Sequence, residues 1–349
     1  RMSGGWVGSP IRPERLHQVS DEAWLGIVTN KQISEEPTHR WKQIGPDHVA
    51  ESGVRQFADD LRALARRFPS RFAKLALRFP PDTHPSYIAA ILDGVKATKP
   101  DEIPQEEKGS WQPAGIDAIE AIFEKHGLSD NRSVAHDFCW LIKARADEKW
   151  SDRTIDRLLD YAMHHPDPQE DESDSRRANQ KEGEWTVDDL NTNAINCIRG
   201  VAGVAIGALL WKHSESLQKL KPAIMHLAND AHPAVRVAAL EAGLPLLNLE
   251  RDLAVDLFIR ACADDLRVAA CRYGVYYFNA YMESHVDSLS PVVVRMFNSE
   301  IPEVAKEGAK EVCARWIFHG LFERELHNSI SGSVPQRKGI ADVAASLMG

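Results

Sequence analysis

Apolar residues recur along the chain at helical spacing, with a polar or proline-containing break every 12 to 20 residues or so. One predicted helix runs from about Val49 to Arg67, and five of its apolar residues share one face. These are Val54, Phe57, Leu61, Leu64 and Ala65. Strand signals are nearly absent, because no alternating Val/Ile/Thr run is bounded by Asn-Gly or Asp-Gly turns. The pattern predicts an all-α protein.

Polar caps and prolines set the predicted helix boundaries in the first half of the chain. Ser20 can cap a helix whose first turn is acidic, which suits the positive end of the helix dipole. Pro69 separates the helix that ends at Arg67 from a shorter partner over 71–79, so the two form a helical hairpin. A second hairpin begins near Ser86. Three further helices are predicted over 114–126, 132–148 and 152–164.

A polar segment divides the chain into two helical regions. From His165 to Trp185 it reads HPDPQEDESDSRRANQKEGEW, with almost no apolar residue, so it buries too little surface to offset the entropy of ordering. We therefore predict irregular helical hairpins over 1–164, an acidic disordered loop over 165–187 and a more regular repeat array over 188–349.

Three segments of the last region share a pattern: DAHPAVRVAAL from Asp230, DDLRVAAC from Asp264 and SEIPEVAKEGA from Ser299. Aligning Arg236, Arg267 and Ala305 gives spacings of 31 and 38 residues, near the lower edge of HEAT-type repeats of roughly 40 residues. In HEAT repeats, which this pattern resembles, the Asp and Arg at these places commonly pair between neighbouring units. The sequence thus predicts an α-solenoid of HEAT-like helical hairpins.

The net charge of -9 bears on the class of partner. A general nucleic-acid binder needs a basic face for counterion release, and the acidic balance disfavours one. A local basic patch on the hairpin over 49–79 is still an alternative, although Asp59 and Asp60 lie beside it. Its members are Arg62, Arg66, Arg67, Arg71, Lys74 and Arg78. A helical-repeat nucleic-acid-binding protein is therefore the alternative function.

The cysteines and histidines give no local metal motif. Cys139, Cys197, Cys262, Cys271 and Cys313 form no CxxC pair and are interpreted as reduced, buried thiols of a cytoplasmic protein. His136 lies three residues from Cys139 on one helix face, and His164-His165 precedes an acidic run. A closed zinc site needs four ligands, and local spacing does not assemble them. We expect no metal and no cofactor.

The most apolar stretch, from Ala194 to Trp211, is the best candidate for a membrane span. Arg199 interrupts it, and the uncharged remainder is shorter than the roughly 20 residues that a bilayer requires. Gly203 and Gly207 have the spacing of a membrane dimerisation motif. We interpret them instead as small residues that let this helix press against a neighbour in a protein core, and we expect no membrane partner.

No complete catalytic motif is present: the sequence contains no P-loop, no GxGxxG after a strand, no GxSxG and no HExxH. The chain is therefore expected not to be an enzyme, with a hydrolase of dispersed residues as a third alternative. Tyr273, Tyr277 and Tyr281 fall on one helix face, where core packing is preferred over a binding surface. With Arg236 and Arg267 they are the candidate ligand-binding residues.

Several segments, in order along most of the chain, resemble the C-terminal helical region of large bacterial STAND-class NTPases, including those of antiphage defence. The segments include GGWVGSP from Gly4, SDEAWL from Ser20, RFAKLALRFPPDTHPSYIAAIL from Arg71, LDYAMHHPDP from Leu159 and NAINCIRGVAGVAIGALL from Asn193. The resemblance implies a sensor that binds a trigger, in several cases a phage protein, and relieves autoinhibition of an upstream P-loop ATPase. The chain opens on Arg1 and lacks a P-loop, so it is expected to be a fragment that holds the sensor region.

Overall fold

The computed structural model describes residues 6–34, 41–45, 48–51, 53–100, 103, 105, 107–126, 131–169 and 185–348. The chain divides into two compact units, residues 1–155 and 156–349. This division falls before the predicted boundary at residue 164. Residues 170–184, which make up most of the predicted acidic loop, lie outside the described residues.

The first unit is mainly helical, as predicted. Its helices are α1 (Asp21–Val28), α2 (Lys31–Ser34), α3 (Val54–Arg67), α4 (Pro69–Ala76), α5 (Pro85–Val95), α6 (Ile116–Lys125) and α7 (Arg132–Ala144). A short 3₁₀ helix, Pro13–Gln18, precedes α1, and α8 (Asp152–His164) spans the division between the units. Helix α3 packs on α5, α5 packs on α7, and α4 contacts α5 and α6.

Three short strands also occur in the first unit, where the sequence pattern predicted none. They are β1 (Trp6–Gly8), β2 (Trp41–Gly45) and β3 (His48–Glu51). Strand β3 lies in the middle, parallel to β1 and antiparallel to β2. The helix predicted from Val49 accordingly begins at Val54, because His48–Glu51 pairs with the preceding strand β2 and with the distant strand β1.

Local signals account for the helices that were predicted well. Ser20 caps α1 by accepting a hydrogen bond from the Ala23 N–H at 3.2 Å, as predicted. Pro69 occupies the first turn of α4, where a missing N–H costs nothing. The predicted apolar face of α3 is buried at Phe57, Leu61, Leu64 and Ala65.

The second unit is built from helices. They are the end of α8, α9 (Val187–Ala194), α10 (Ile198–Lys212), α11 (Leu217–Ala228), α12 (Pro233–Gly243), α13 (Leu246–Leu249), α14 (Arg251–Ala261), α15 (Leu266–Ala269), α16 (Gly274–Tyr281), α17 (Val286–Phe297), α18 (Pro302–His319), α19 (Glu323–Ser329) and α20 (Val334–Met348). A 3₁₀ turn, Ser214–Ser216, joins α10 to α11.

Helices of the second unit stack in two rows. One row contains α11, α14 and α17, each packed on the next. The other contains α10, α12, α15, α18 and α20, again in successive contact. Cross-row contacts join α11 to α12, α14 to α15 and α16, and α17 to α18. The pairs α10 with α11, α12 with α14 and α15 with α17 therefore contribute one helix to each row, whereas α18 and α20 lie in the same row.

Gly203 and Gly207 on α10 lie against the neighbouring helices of the unit. A Cβ atom at Gly207 would come within 2.8 Å of the Ala242 Cα on α12, and one at Gly203 within 2.9 Å of the Leu227 side chain. Close packing in a protein core therefore explains Gly203 and Gly207, as we interpreted them from the sequence. Among the described residues no single helix is long and apolar enough to cross a membrane, although α9 and α10, bent by 72°, pass that test as a pair.

Candidate functional site

The three tyrosines of the predicted stripe are buried. Tyr277 is fully buried; it stacks on Phe258 and donates a 2.8 Å hydrogen bond to the Leu240 carbonyl oxygen. Tyr273 donates to the Glu241 carboxylate, and Tyr281 donates to the carbonyl oxygen of Leu247. All three fix α16 against the end of α12 and the start of α13. Their burial supports the packing interpretation and leaves them little surface for a ligand.

Tyr277→Phe is expected to lower the free energy of unfolding by about 1–1.5 kcal/mol, because the Leu240 carbonyl loses a buried donor. The neighbouring Tyr276, which is 53% exposed, offers a matched control. Tyr276→Phe should change stability by less than about 0.5 kcal/mol. Urea denaturation of both variants measures the difference, and equal effects would contradict the packing role.

An ion pair joins neighbouring helices of the α10 row at their amino-terminal ends. The Arg199 guanidinium contacts Asp230 through two hydrogen bonds, Nε to Oδ2 at 2.8 Å and Nη2 to Oδ1 at 3.1 Å. Both side chains are largely buried, with 15% and 6% of their surfaces exposed. Asp230 Oδ1 also accepts the His232 N–H at 2.8 Å, which fixes the turn before α12.

Arg236 and Arg267, the two predicted arginines, occupy the next positions along the row. Arg236 Nη1 lies 3.7 Å from Asp264 Oδ2, a longer and less direct pairing than that of Arg199. Arg267 pairs with Asp265, which precedes it by two residues, and donates to the Trp185 carbonyl oxygen at 2.8 Å. We name Arg199, Arg236 and Arg267, together with their aspartates, the arginine ladder.

Both described ends of the segment around the predicted acidic loop bind to this ladder. Arg199 Nη1 donates to the His165 carbonyl oxygen at 2.9 Å, and Asp167 Oδ2 accepts the Ile198 N–H at 2.8 Å. At the other end the Trp185 ring lies 5.3 Å from that of His232. The candidate functional residues predicted from the sequence did not include Arg199, His165, Trp185 or His232. One signal was available, because Arg199 precedes Asp230 by 31 residues, the same interval that separates Arg236 from Arg267.

Burial lowers the pKa of His232 to about 4, although the nearby Asp230 carboxylate opposes this shift. An unfolded histidine titrates near 6.5, so the unfolded state binds more protons than the folded state between pH 6.5 and 4. Stability therefore falls as the pH decreases through this window, by at most a few kcal/mol, since one pKa unit corresponds to about 1.4 kcal/mol.

His232→Asn should remove this contribution, because asparagine does not titrate and can still accept the Ala234 N–H that His232 Nδ1 now accepts. Urea denaturation at a series of pH values between 4 and 7 measures the change. His327→Asn, at an exposed position, is the control and should retain the slope of the parent chain. The pKa assignment is wrong if His232→Asn leaves the slope unchanged.

The basic patch predicted on the hairpin over 49–79 is paired with carboxylates. Arg62 binds Asp59 and Asp93, Arg66 binds Asp93, Arg67 binds Glu107, Arg71 binds Asp21, and Arg78 binds Glu22. Lys74 is exposed and forms no ion pair with any residue in the described part of the chain. The patch therefore has far less uncompensated charge than its sequence indicates.

The cysteines are free and buried, as predicted, and burial raises the pKa of each thiol. His136 Nε2 accepts a hydrogen bond from Trp140 Nε1 at 3.1 Å rather than joining Cys139. In the ranges that the structure describes, no group of three or more His, Cys, Asp or Glu side chains is arranged to hold a metal ion.

Large apolar side chains are exposed on two neighbouring helices of the second unit. Val275 and Tyr276 on α16 are 40% and 53% exposed, and Ile317 and Phe318 on α18 are 40% and 65% exposed. Two contacts link this part of the unit to α18: Arg315 donates to the Asn279 side chain on α16, and His319 Nδ1 lies 2.7 Å from Oε1 of Glu283, which follows α16. We name these four apolar residues the α16–α18 surface.

The chain was also compared with protein-family models, curated proteins and solved structures, and no match was found.

Proposed function

We propose that the second unit is a HEAT-like repeat array and that the chain is a non-catalytic scaffold that binds a protein ligand. The stacking of helices in two rows carries this proposal, because such stacking generates extended surfaces in repeat proteins. The Arg199–Asp230 pair between successive helices of one row, followed by Arg236 with Asp264, matches the inter-repeat pairing typical of HEAT units.

The α16–α18 surface is the proposed contact for the ligand. Exposed aromatic and aliphatic residues in neighbouring positions are typical of protein interfaces, where tyrosine combines apolar area with a polar tip. This surface replaces the predicted tyrosine stripe as the candidate, because Tyr276 is exposed whereas Tyr273, Tyr277 and Tyr281 are buried. A helical-repeat nucleic-acid binder is less well supported, since the arginines of the 49–79 hairpin are paired with carboxylates.

We further propose, on the resemblance of its segments, that the chain is the sensor region of a bacterial antiviral STAND NTPase. Its ligand would then be a phage protein, and the remaining domains would be encoded upstream of Arg1. Reading the genomic frame upstream of Arg1 tests the second point. A P-loop there supports the assignment, and its absence contradicts it.

Binding is tested with the full-length protein as bait in phage-infected cells. The captured protein is then purified, and its affinity for the full-length protein is measured by calorimetry. A double variant, Tyr276→Ser with Phe318→Ser, should weaken binding at least about tenfold, because central aromatic contacts are each worth about 1–2 kcal/mol or more. Trp211→Ser on α10, 54% exposed, is the matched control and should bind like the parent protein.

Two outcomes would count against the proposal. One is the absence of any captured phage protein that binds again after purification. The other is equal weakening by the double variant and by Trp211→Ser, which would place the contact elsewhere. Circular dichroism of each variant verifies that the exposed substitutions leave the helices intact.

A further inference from the structure

An open cleft of about 650 Å³ lies in the first unit, where the first turns of α3, α5 and α7 adjoin. Its walls contain three arginines: Arg55 and Arg62 from α3 and Arg132 from α7. Two serines, Ser86 on α5 and Ser133 on α7, also line it. A volume of this size is within the range of small-molecule sites in proteins. This cleft is not part of the α16–α18 surface that we propose as the protein contact.

Two carboxylates, Asp59 and Asp137, also line the cleft, and among the described residues only Asp59 is paired with an arginine. Asp59 binds Arg62, which also contacts Asp93 at 3.2 Å, and Asp137 lies 4.0 Å from the His136 ring. Arg55, in contrast, forms no ion pair with any described residue of the chain. The Arg55 guanidinium is therefore available to a ligand in the cleft.

Side chains, rather than helix ends, supply the donors of this cleft. The backbone N–H groups of Ser86 and Ser133 are already bonded to His84 Nδ1 at 3.2 Å and to Asn131 Oδ1 at 3.1 Å. The hydroxyl groups of both serines make no hydrogen bond within the described residues. Because His84 Nδ1 accepts a hydrogen bond, the neutral ring carries its proton on Nε2, which adds a further donor.

We propose that this cleft binds the phosphate group of a small phosphorylated molecule. A phosphate dianion has several acceptor oxygens in a tetrahedral arrangement, so it can accept bonds at once from guanidinium and hydroxyl donors on different helices. A carboxylate has its acceptors in one plane and is satisfied by a single guanidinium.

The surroundings favour a small molecule over a nucleic-acid strand. A strand presents a charge at every nucleotide and therefore requires a stripe of available cations. Further along the hairpin over 49–79, however, Arg66 is paired with Asp93, Arg67 with Glu107 and Arg71 with Asp21. Among the arginines of this hairpin, Arg55 is thus the one that forms no ion pair with a described residue, and a single available arginine suits one phosphate group rather than a row of them.

Calorimetric titration of the whole chain tests the proposal with inorganic phosphate, adenosine monophosphate, acetate and a single-stranded oligonucleotide. Phosphate and the nucleotide should bind, and acetate should bind much more weakly. Arg55→Glu should weaken binding of both at least about tenfold, since a charged hydrogen-bond donor is replaced by a like charge. The double variant Ser86→Ala with Ser133→Ala should weaken it several-fold.

Lys74→Glu is the matched control, because it makes the same change of charge on an exposed residue of α4 that does not line the cleft. It should leave the affinity unchanged. Three results would overturn the proposal: no binding of phosphate or the nucleotide by the folded chain at about 1 mM, equal losses in Arg55→Glu and Lys74→Glu, or oligonucleotide binding that is tighter and survives Arg55→Glu. If Arg55→Glu does not fold by circular dichroism, Arg55→Gln, which removes the charge alone, takes its place.

Discussion

Arg199→Ala is expected to lower the free energy of unfolding of the second unit by about 3–5 kcal/mol. The substitution leaves the Asp230 carboxylate, whose side chain is 6% exposed, without its bidentate guanidinium in a buried position. It also removes the donor to the His165 carbonyl, which holds the chain where it leaves α8. Urea denaturation followed by circular dichroism measures the loss.

The size of this effect depends on burial rather than on the ion pair itself. Arg260 and Asp256, on one face of α14, also form a close pair, at 2.9 Å, but their side chains are 50% and 46% exposed. Arg260→Ala should therefore cost less than about 1 kcal/mol. In a double-mutant cycle, Asp230→Ala should add little to Arg199→Ala. Equal costs for Arg199→Ala and Arg260→Ala would show that the ladder does not support the stacking of α10 on α12.

The helices could be predicted from the sequence because their signals are local. The Ser20 cap, the proline at the start of α4 and the apolar periodicity of α3 all act within a few residues, and a helix formed in each of these places, although the bounds of α3 and α4 differ from the predicted ones by two to five residues. Strand β3 could not be found in this way. Three of its four residues, His48 to Ala50, pair with Trp6–Gly8, about forty positions earlier, and a helical or strand pattern in so short a segment is ambiguous.

The candidate sites depended on contacts between distant residues, which periodicity does not report. A shared face for Tyr273, Tyr277 and Tyr281 was apparent from their spacing, but whether another helix covers that face depends on α12. The basic cluster was correctly located in sequence, yet its neutralisation depends on Asp21, Asp93 and Glu107, which lie on other segments. Charge counted along one hairpin therefore overstated its available charge.

Two arginines of the ladder, Arg236 and Arg267, were identified from the sequence, whereas Arg199 was not. The pattern around Asp230 indicated pairing with an arginine of a neighbouring unit, and the structure supplies Arg199 as that partner. Arg199 was interpreted as an interruption of an apolar stretch, because hydropathy treats a buried, paired arginine and an exposed one alike. Arg199 is paired because the start of α10 lies against Asp230, which precedes α12, and this proximity is known only from the fold.

Gly94→Ala is expected to destabilise the first unit by about 1–3 kcal/mol, although alanine is the better helix former by about 1 kcal/mol. Gly94 lies on α5 where α3 approaches most closely: a Cβ there would overlap Ala65 and come within 2.9 Å of the Arg62 carbonyl oxygen. Neither group can move without separating the two helices, because one is backbone and the other is packed in the core.

Gly26→Ala on α1 provides the same substitution in open space, since no heavy atom lies within 4 Å of the new Cβ. It should stabilise the unit by about 0.5–1 kcal/mol through helix propensity and the reduced entropy of the unfolded chain. The two variants are thus expected to change stability in opposite directions, which urea denaturation detects directly. Stabilisation by both would mean that α3 and α5 are not in contact at Gly94, and the cleft whose walls they form would then lack its described geometry.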